Sequence, residues 1–286
     1  MSYYSILGLE REPFSTSPDP AFFYQSAKHR ATLANLVIEF RLKRGLSVVI
    51  GDVGVGKTTL GRKLIQMLGE RENFLFHMML DPTFPSEELF YQALARTFKI
   101  DLPPNATLLD ERDGLERFLY RKGVEERQTV VLIIDEAHKL SPVTLEALRV
   151  LLNYETNETK LLQLVLMGQM ELLPTLRSMH NVTDRISLKC TLKPLTLEES
   201  REMIEFRLAG AGYQSRKPLF LDEAIEAIYE SSQGYPRRIS MLCHLALRSL
   251  ILHNRAIVDR EIVRGLIQEE VEAGWSPTRI LQKSVC

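Results

Sequence analysis

The sequence of 286 residues carries no large excess of charge, few cysteines and no long hydrophobic run. Its 36 basic and 37 acidic residues give a net charge of −1, which excludes a global attraction to nucleic acid or anionic lipid and leaves only local patches. Cys190, Cys243 and Cys286 lie far apart without a metal-ligand spacing, so a reducing compartment fits them best. No run of about 18 apolar residues and no secretory leader occurs, so we expect a cytoplasmic protein without a transmembrane segment.

What the sequence does contain is a phosphate-binding loop, since residues 51–58 fit the pattern G-x-x-x-x-G-K-[ST]. An apolar, β-branched run at 46–50 predicts a buried strand before it, and apolar residues at helical spacing over 59–68 predict a helix after it. Glycines let successive backbone N–H groups turn towards an anion, and the helix N-terminus adds its positive end. The expected nucleotide contacts are Gly51, Asp52, Val53, Gly54, Val55, Gly56, Lys57, Thr58 and Thr59.

The chemistry expected of this loop needs a metal ion and a base. Lys57 is expected to reach the β- and γ-phosphates, and the Thr58 hydroxyl to hold Mg²⁺. A second signal is the all-apolar run at 130–134, which predicts a strand in a sheet covered on both faces and leads directly into two carboxylates. We expect Asp135 to hold Mg²⁺, directly or through water, and Glu136 to be the base that polarises the attacking water.

Three further polar residues lie at the ends of predicted strands or helices. Gln169, at the tip of a strand over 161–167, is expected to bind the γ-phosphate or the attacking water; the alternative is a loop glutamine facing solvent. Arg185, before a strand over 186–192, is expected to point at the γ-phosphate of a neighbouring subunit, with Arg177 as the competing candidate. Arg237 either couples a helical lid to the nucleotide or faces solvent.

The pattern divides the chain into four segments. An aromatic arm over 1–30 is expected to be extended and not helical, with side chains that flank an adenine ring or, more commonly, pack on the sheet. Strands alternate with helices over 31–193, which indicates an α/β core. Beyond 193 only helical patterns occur, which predicts a small helical lid over 194–273 and a loose tail over 274–286. The predicted lid helices are 197–210, 222–231, 236–252 and 259–273.

These residues together carry a family resemblance, for which the arm is the most telling part outside the phosphate loop. The chain resembles the AAA+ ATPases, and more narrowly the ExeA-type ATPases of bacterial general secretion, with relatives in pilus biogenesis and transposition. The resembling stretches of the arm are 4–9, 13–14, 18–20, 23–26 and His29.

This resemblance has several implications for fold and site. It implies an α/β three-layer P-loop sandwich with a parallel sheet of order 5-1-4-3-2 and a small all-α lid. It implies ATP as the nucleotide, with hydrolysis at the subunit interfaces of a homo-oligomeric ring or filament. It also implies that Gln169 is sensor 1, Arg185 the arginine finger and Arg237 sensor 2, with Tyr24 and His29 bordering the adenine.

Three functions stay open at this point. The first is an oligomeric switch that acts on a protein partner of a secretion or pilus machine, and the second is an ATP-dependent, duplex-DNA-binding regulator of transposition. The third, a nucleotide-binding module without turnover, is disfavoured because Glu136 supplies a base. Six basic residues allow two interpretations, a DNA-facing surface or ordinary solvated helix faces. They are Arg41, Lys43, Arg44, Arg117, Arg121 and Lys122.

Overall fold

The computed structural model describes residues 3–69, 71, 73–215 and 217–274. All of the predicted tail except Gly274 lies outside these described residues. Among the described residues, no helix combines the length and the apolar character that crossing a lipid bilayer requires.

Five parallel strands form the sheet of the α/β part. The order across the sheet is β2-β3-β4-β1-β5, which confirms the predicted order 5-1-4-3-2. The central strand β1 is hydrogen-bonded to β4 on one side and β5 on the other. The strands are β1 Leu46–Ile50, β2 Phe74–Met79, β3 Thr129–Ile134, β4 Leu162–Gly168 and β5 Ile186–Thr191.

Twelve α-helices lie before, between and after the strands in the described part of the chain. Those of the first part are α1 Tyr3–Ile6, α2 Ala27–Arg41, α3 Lys57–Leu68, α4 Glu87–Phe98, α5 Leu108–Tyr120, α6 Pro142–Leu151, α7 Leu172–Ser178 and α8 His180–Thr183. Those that follow the last strand are α9 Leu197–Gly210, α10 Asp222–Ser232, α11 Pro236–Leu252 and α12 Arg260–Glu272. The four predicted lid helices are therefore confirmed to within a residue at each end.

Local capping explains where several of these helices begin. The side chains of Ser86, Ser141, Thr196 and Asp259 each accept a hydrogen bond from a backbone N–H of the first helical turn. Such a cap stabilises a helix by about 1 kcal/mol because that N–H has no partner within the helix. At Thr196 the cap is reciprocal, since the Glu199 carboxylate accepts from the Thr196 N–H at 3.1 Å.

The sheet is covered on both faces, as the all-apolar strands predict. Alternate strand residues such as Val48, Leu132 and Leu164 join a buried cluster with residues of α4, α5 and α6. The other face meets α3, where a Cβ added at Gly61 would lie 3.3 Å from the sulfur of Met167. Because strand side chains alternate between faces, one sheet holds two helical layers and the α/β part is a three-layer sandwich.

The chain divides into two compact units. The α/β unit comprises residues 27–53 and 57–193, and the helical unit comprises residues 1–26, 54–56 and 194–286. The core of the helical unit contains Ile204, Ile228 and Leu247 from three different helices. A separate core in each unit explains why apolar strand patterns cease after residue 193.

The structure corrects the interpretation of the aromatic arm. The arm is not fully extended, because Tyr3–Ile6 is helical and Pro20–Phe22 forms a 3-10 turn. Its buried aromatic rings Phe14 and Phe22 pack in the core of the helical unit and not on the sheet. The sequence pattern shows that these rings need burial, but which partner covers them is decided by tertiary contacts far along the chain.

Two arginines fasten this arm within the helical unit. Arg207 of α9 donates hydrogen bonds to the carbonyls of Pro13 and Ser15, at 3.4 and 3.2 Å. Arg11 donates to the Gly210 carbonyl at 2.9 Å and lies 4.5 Å from the centre of the Phe22 ring. Burial lowers the pKa of Arg207 from its ordinary value, because the charged guanidinium loses solvation by water.

Candidate nucleotide-binding site

The phosphate loop leaves β1 at the carboxyl edge of the sheet. Its first N–H, that of Gly51, donates to the Gly168 carbonyl at 3.2 Å, so the loop begins tied to the end of β4. Gly54 and Gly56 have φ of 84° and 99°, in the left-handed region that favours glycine, whereas Gly51 does not. Two of the three loop glycines, Gly54 and Gly56, therefore use the conformational freedom that glycine provides.

Lys57 is the first residue of α3, and its side chain folds back over the loop. The buried ammonium donates to the carbonyl oxygens of Gly51 at 2.7 Å and Asp52 at 2.9 Å. Burial lowers the pKa of Lys57, while the nearby carboxylates of Glu136 and Asp135 act in the opposite direction. A buried ammonium at the N-terminus of a helix is an arrangement that attracts an anion.

Two oxygen-bearing side chains meet beside Lys57. The Thr58 hydroxyl donates to Oδ2 of Asp135 at 2.5 Å, and the Glu136 N–H donates to Oδ1 of the same carboxylate at 3.0 Å. Asp135 is buried at the end of β3, where its own N–H donates to the Met79 carbonyl at 2.8 Å. The structure thus brings together the two residues expected to hold a metal ion.

Glu136 lies in a turn that also brings two polar side chains near its carboxylate. Its φ of 51° and ψ of 33° place a non-glycine residue in the left-handed region, a conformation that costs roughly 1–2 kcal/mol. The side-chain nitrogen of Gln169 lies 3.5 Å from Glu136 Oε2 and 3.2 Å from His138 Nε2. The expected proximity of Gln169 to the acidic pair is present, but His138 was not among the predicted site residues.

Arg185 and Arg177 differ in their surroundings. Arg185 is half-buried between α8 and β5, and Arg177 is exposed in the last turn of α7. The hydrogen bond from Arg149 and the nearby charges of Arg149 and Arg185 lower the pKa of the Glu146 carboxyl, so Arg185 lies within electrostatic reach of α6. Among the described residues, no hydrogen bond or ion pair joins either arginine to the phosphate loop.

Arg237 is an exposed residue in the first turn of α11. Its backbone N–H donates to the Gly54 carbonyl at 3.3 Å, and a Cβ added at Gly54 would lie 3.0 Å from the Cβ of Arg237. Within the helical unit, therefore, Arg237 lies directly against the tip of the phosphate loop. The neighbouring Arg238 instead lies 5.3 Å from the centre of the Tyr235 ring.

The two residues expected to border an adenine lie in different units. Tyr24 belongs to the helical unit, where its hydroxyl donates to Glu202 and its ring meets the edge of Phe206 at 6.2 Å. His29 is buried in the first turn of α2, in the α/β unit. Of the remaining loop residues, Val55 is buried and Val53 is exposed.

Of the basic residues considered for a DNA-facing surface, those at 117–122 have acidic neighbours. Lys122 donates to the Glu126 carboxylate at 2.6 Å, and the Arg121 guanidinium lies 3.6 Å from the other oxygen of that carboxylate. A groove of about 750 Å³ beside α5 is lined by cations and anions alike, which does not suit a polyanion. Its charged lining residues are Lys99, Arg117, Arg121, Asp101, Asp113, Glu116 and Glu125.

Comparisons with known proteins show what this chain is similar to. Residues 41–176 match the AAA domain family. The chain is 35% identical over 247 residues to General secretion pathway protein A of Aeromonas hydrophila, a match that spans 86% of this chain and 44% of that protein. The chain thus covers less than half the length of that relative.

Two solved structures share the fold. The ORC2 protein of Aeropyrum pernix, in its ADPNP-ADP complexes, superposes with a TM-score of 0.67 at 16% identity, over 91% of this chain and 72% of that one. The ORC1 protein of the same organism, in complex with DNA, gives a TM-score of 0.65 at 17% identity, over 91% of this chain and 69% of that one. The chain therefore contains an AAA domain over residues 41–176, and most of its length is similar to General secretion pathway protein A.

Proposed function

We propose that this chain binds ATP with Mg²⁺ at residues 51–59 and hydrolyses the terminal phosphate. The observation that carries the proposal is the meeting of Lys57, Thr58 and Asp135 at one edge of the sheet. A buried ammonium, a hydroxyl and a carboxylate at the start of a helix match the requirements of a triphosphate and its metal ion. Lys57 and Thr58 are adjacent in sequence, whereas the fold brings Asp135 to them.

Each loop residue has a role that follows from its position. The backbone N–H groups of 54–58 surround the phosphates, and the ammonium of Lys57 turns from the loop carbonyls to the β- and γ-phosphate oxygens. Exchanging two neutral acceptors for charged ones offsets the desolvation that lowers the pKa of Lys57. Tyr24 and His29 are proposed to border the adenine.

The donor set fits Mg²⁺ and not a metal held by protein alone. Among the described residues, no group of three or more histidine, cysteine or acidic side chains is placed to hold a metal. Thr58 and Asp135 supply hard oxygen ligands, and Mg²⁺ is commonly held by one or two such groups together with substrate phosphates. When bound, Mg²⁺ neutralises charge on the phosphates, while Thr58 and Asp135 fix its place.

Hydrolysis needs a water molecule aligned with the γ-phosphate. Glu136 is proposed to accept a proton from this water, and Gln169 to hydrogen-bond the water or the γ-phosphate. The distance of 3.5 Å between the Gln169 amide and the Glu136 carboxylate supports this proposal.

Completion of the site is proposed to need a second copy of the chain. Arg185 of one subunit would stabilise the charge that develops on the γ-phosphate bound to its neighbour in a ring or filament. Arg237, which lies against the loop tip, would report the phosphate state to the helical lid. Such a protein assembles when ATP is bound and relaxes after hydrolysis, which makes it an oligomeric switch.

The proposed biological role is to act on a protein partner of a secretion or pilus machine. The support is the identity of 35% to General secretion pathway protein A over most of this chain. A regulator of transposition on duplex DNA is the second candidate, and the fold shared with the DNA complex of ORC1 favours it. DNA-stimulated ATPase activity and assembly that fall steeply with salt would select this second candidate.

The test of ATP hydrolysis is Glu136→Gln. We expect this variant to bind ATP as the wild type does, to lose roughly 100-fold or more in kcat, and to remain assembled with ATP bound. The measurements are phosphate release, equilibrium binding of ATP and particle size by light scattering. A wild-type hydrolysis rate in Glu136→Gln would show that Glu136 is not the base.

A further inference from the structure

We propose that His138 is a positioning residue that orients the Glu136 carboxylate and the Gln169 amide as one unit. The inference rests on the proposed hydrolysis at Glu136, and it adds a residue that the phosphate loop and the metal ligands do not include. His138 follows Glu136 by two positions, within the 3-10 turn Ala137–Lys139. This turn folds the imidazole back towards the carboxylate that precedes it.

The imidazole lies between the two groups. His138 Nε2 is 3.5 Å from Glu136 Oε2 and 3.2 Å from the side-chain amide of Gln169. The side chain of His138 is 16% exposed, so the packed environment restricts its rotamers. His138 thus lies within 3.5 Å of both the base candidate and the sensor candidate.

The backbone of Gln169 selects the tautomer of this ring. Its N–H faces His138 Nδ1 at 3.5 Å, and a backbone N–H can only donate. Nδ1 is therefore the nitrogen without hydrogen in the neutral ring, and Nε2 carries the hydrogen. Nε2–H then donates towards Oε2 of Glu136, the same oxygen to which the Gln169 amide donates, so both side chains converge on one carboxylate oxygen.

The backbone of Gly168 also packs closely against the backbone of the turn that carries His138. A Cβ added at Gly168 would lie 3.1 Å from the His138 backbone nitrogen and 3.0 Å from Cδ2 of Leu172. Glycine is needed here for space and not for a positive φ, because the end of β4 approaches the turn that carries Glu136. A displacement of Gln169 at the tip of β4 is therefore transmitted to this turn through backbone and imidazole together.

Glu136 needs such support because of its own conformation. A glutamate in the left-handed region persists only where its surroundings determine it. The Asp135 carboxylate holds its N–H, and His138 and Gln169 hold its side chain. Removal of the imidazole leaves the carboxylate free to sample orientations that do not face the water.

The experiment compares His138→Ala, His138→Gln and His138→Asn with wild type. We expect His138→Ala to lower kcat roughly 10- to 100-fold, with KM and the affinity for a non-hydrolysable ATP analogue changed less than about twofold. The amide of glutamine reaches the place of Nε2, whereas the shorter asparagine reaches only that of Nδ1. His138→Gln should therefore regain more of kcat than His138→Asn.

Lys139→Ala is the matched control, because Lys139 lies in the same turn but its ammonium faces Asp81, 3.6 Å away. It should retain the wild-type rate. If His138→Ala is fully active while Glu136→Gln is inactive, the inference about His138 is overturned and the proposed function stands. A wild-type rate in Glu136→Gln would overturn the proposed function, and the inference with it.

A purely structural role for His138 would give a different result. In that case His138→Ala would lower the melting temperature and ATP affinity together, and asparagine would serve as well as glutamine. Either finding would also overturn the inference. In the Glu136→Gln background, His138→Ala should lower the residual rate no further, because residues that act through one another are not additive.

Discussion

The Thr58 hydroxyl and the Asp135 carboxylate share a hydrogen bond of 2.5 Å, although 77 positions separate them in the sequence. The contact joins the start of α3 to the end of β3, two elements that the parallel sheet brings to the same edge. It places one hydroxyl and one carboxylate where Mg²⁺ would take both as ligands.

Substitution of Thr58 tests this metal site. We expect Thr58→Ala to raise the Mg²⁺ concentration needed for half-maximal ATP binding by roughly 10- to 100-fold, because one oxygen ligand is lost. Thr58→Ser keeps the hydroxyl and should stay near wild type. The measurement is a Mg²⁺ titration of ATP binding, followed without turnover. Equal midpoints for Thr58→Ala and wild type would mean that the hydroxyl is not a ligand.

Lys57 tests the phosphate site separately from the metal. Lys57→Ala removes charge-assisted hydrogen bonds worth roughly 3 kcal/mol, so we expect ATP affinity to fall about 100-fold or more. The control is Lys63→Ala on the same helix, where the ammonium donates to Gln66 at 2.9 Å on the exposed surface. Isothermal titration of both variants checks the prediction, and similar affinities would contradict it.

The sequence predicted the secondary-structure elements around this site better than it predicted which side chains meet there. The strands over 46–50 and 130–134 and the helix after the phosphate loop lie where the sequence predicts them, because each is encoded by a few adjacent residues. The strand order is confirmed too, although it came from a family resemblance and not from periodicity. Local patterns cannot supply such an order, since any parallel arrangement buries the same apolar strands.

Local sequence patterns did not predict two features that depend on tertiary contacts, the position of His138 and the packing of the arm. His138 was passed over because its distances to Glu136 and Gln169 arise from a left-handed backbone at Glu136, and no residue preference predicts that conformation for glutamate. The arm was misassigned for a related reason. Its rings Phe14 and Phe22 are covered by helices that begin at residue 197 and beyond, which the arm itself does not encode.

Arg185 is best tested in mixtures of variants. Arg185→Ala should lower kcat by about 1,000-fold or more if its guanidinium serves the neighbouring active site. Mixed with Lys57→Ala, it should regain part of the activity, because some interfaces then combine an intact loop with an intact arginine. Phosphate release over a range of mixing ratios is the measurement.

Arg177→Ala provides the comparison for this experiment. Arg177 is the exposed competitor at the end of α7, and we expect its variant to retain activity. Full activity of Arg185→Ala with loss in Arg177→Ala would reverse the assignment. Loss in Arg185→Ala that no mixture restores would place the arginine in its own subunit.

The helical unit allows a stability test that does not depend on nucleotide. Gly234, just before α11, has a φ of 74°, and a Cβ there would lie 2.0 Å from the Leu195 carbonyl oxygen. The Leu195 N–H donates to the Gly234 carbonyl at 2.8 Å, so the two backbones cannot separate without loss of this bond. Gly234→Ala should therefore lower the free energy of unfolding by about 3 kcal/mol or more, from strain, clash and the lost hydrogen bond.

Gly265→Ala is the matched control in the same unit. Gly265 lies within α12, where an added Cβ meets no atom within 4 Å. Alanine there should raise the free energy of unfolding by roughly 0.5–1 kcal/mol, because glycine disfavours a helix interior. Urea denaturation followed by circular dichroism measures both variants. If Gly234→Ala were as stable as Gly265→Ala, the close approach of residues 195 and 234 would not hold in solution.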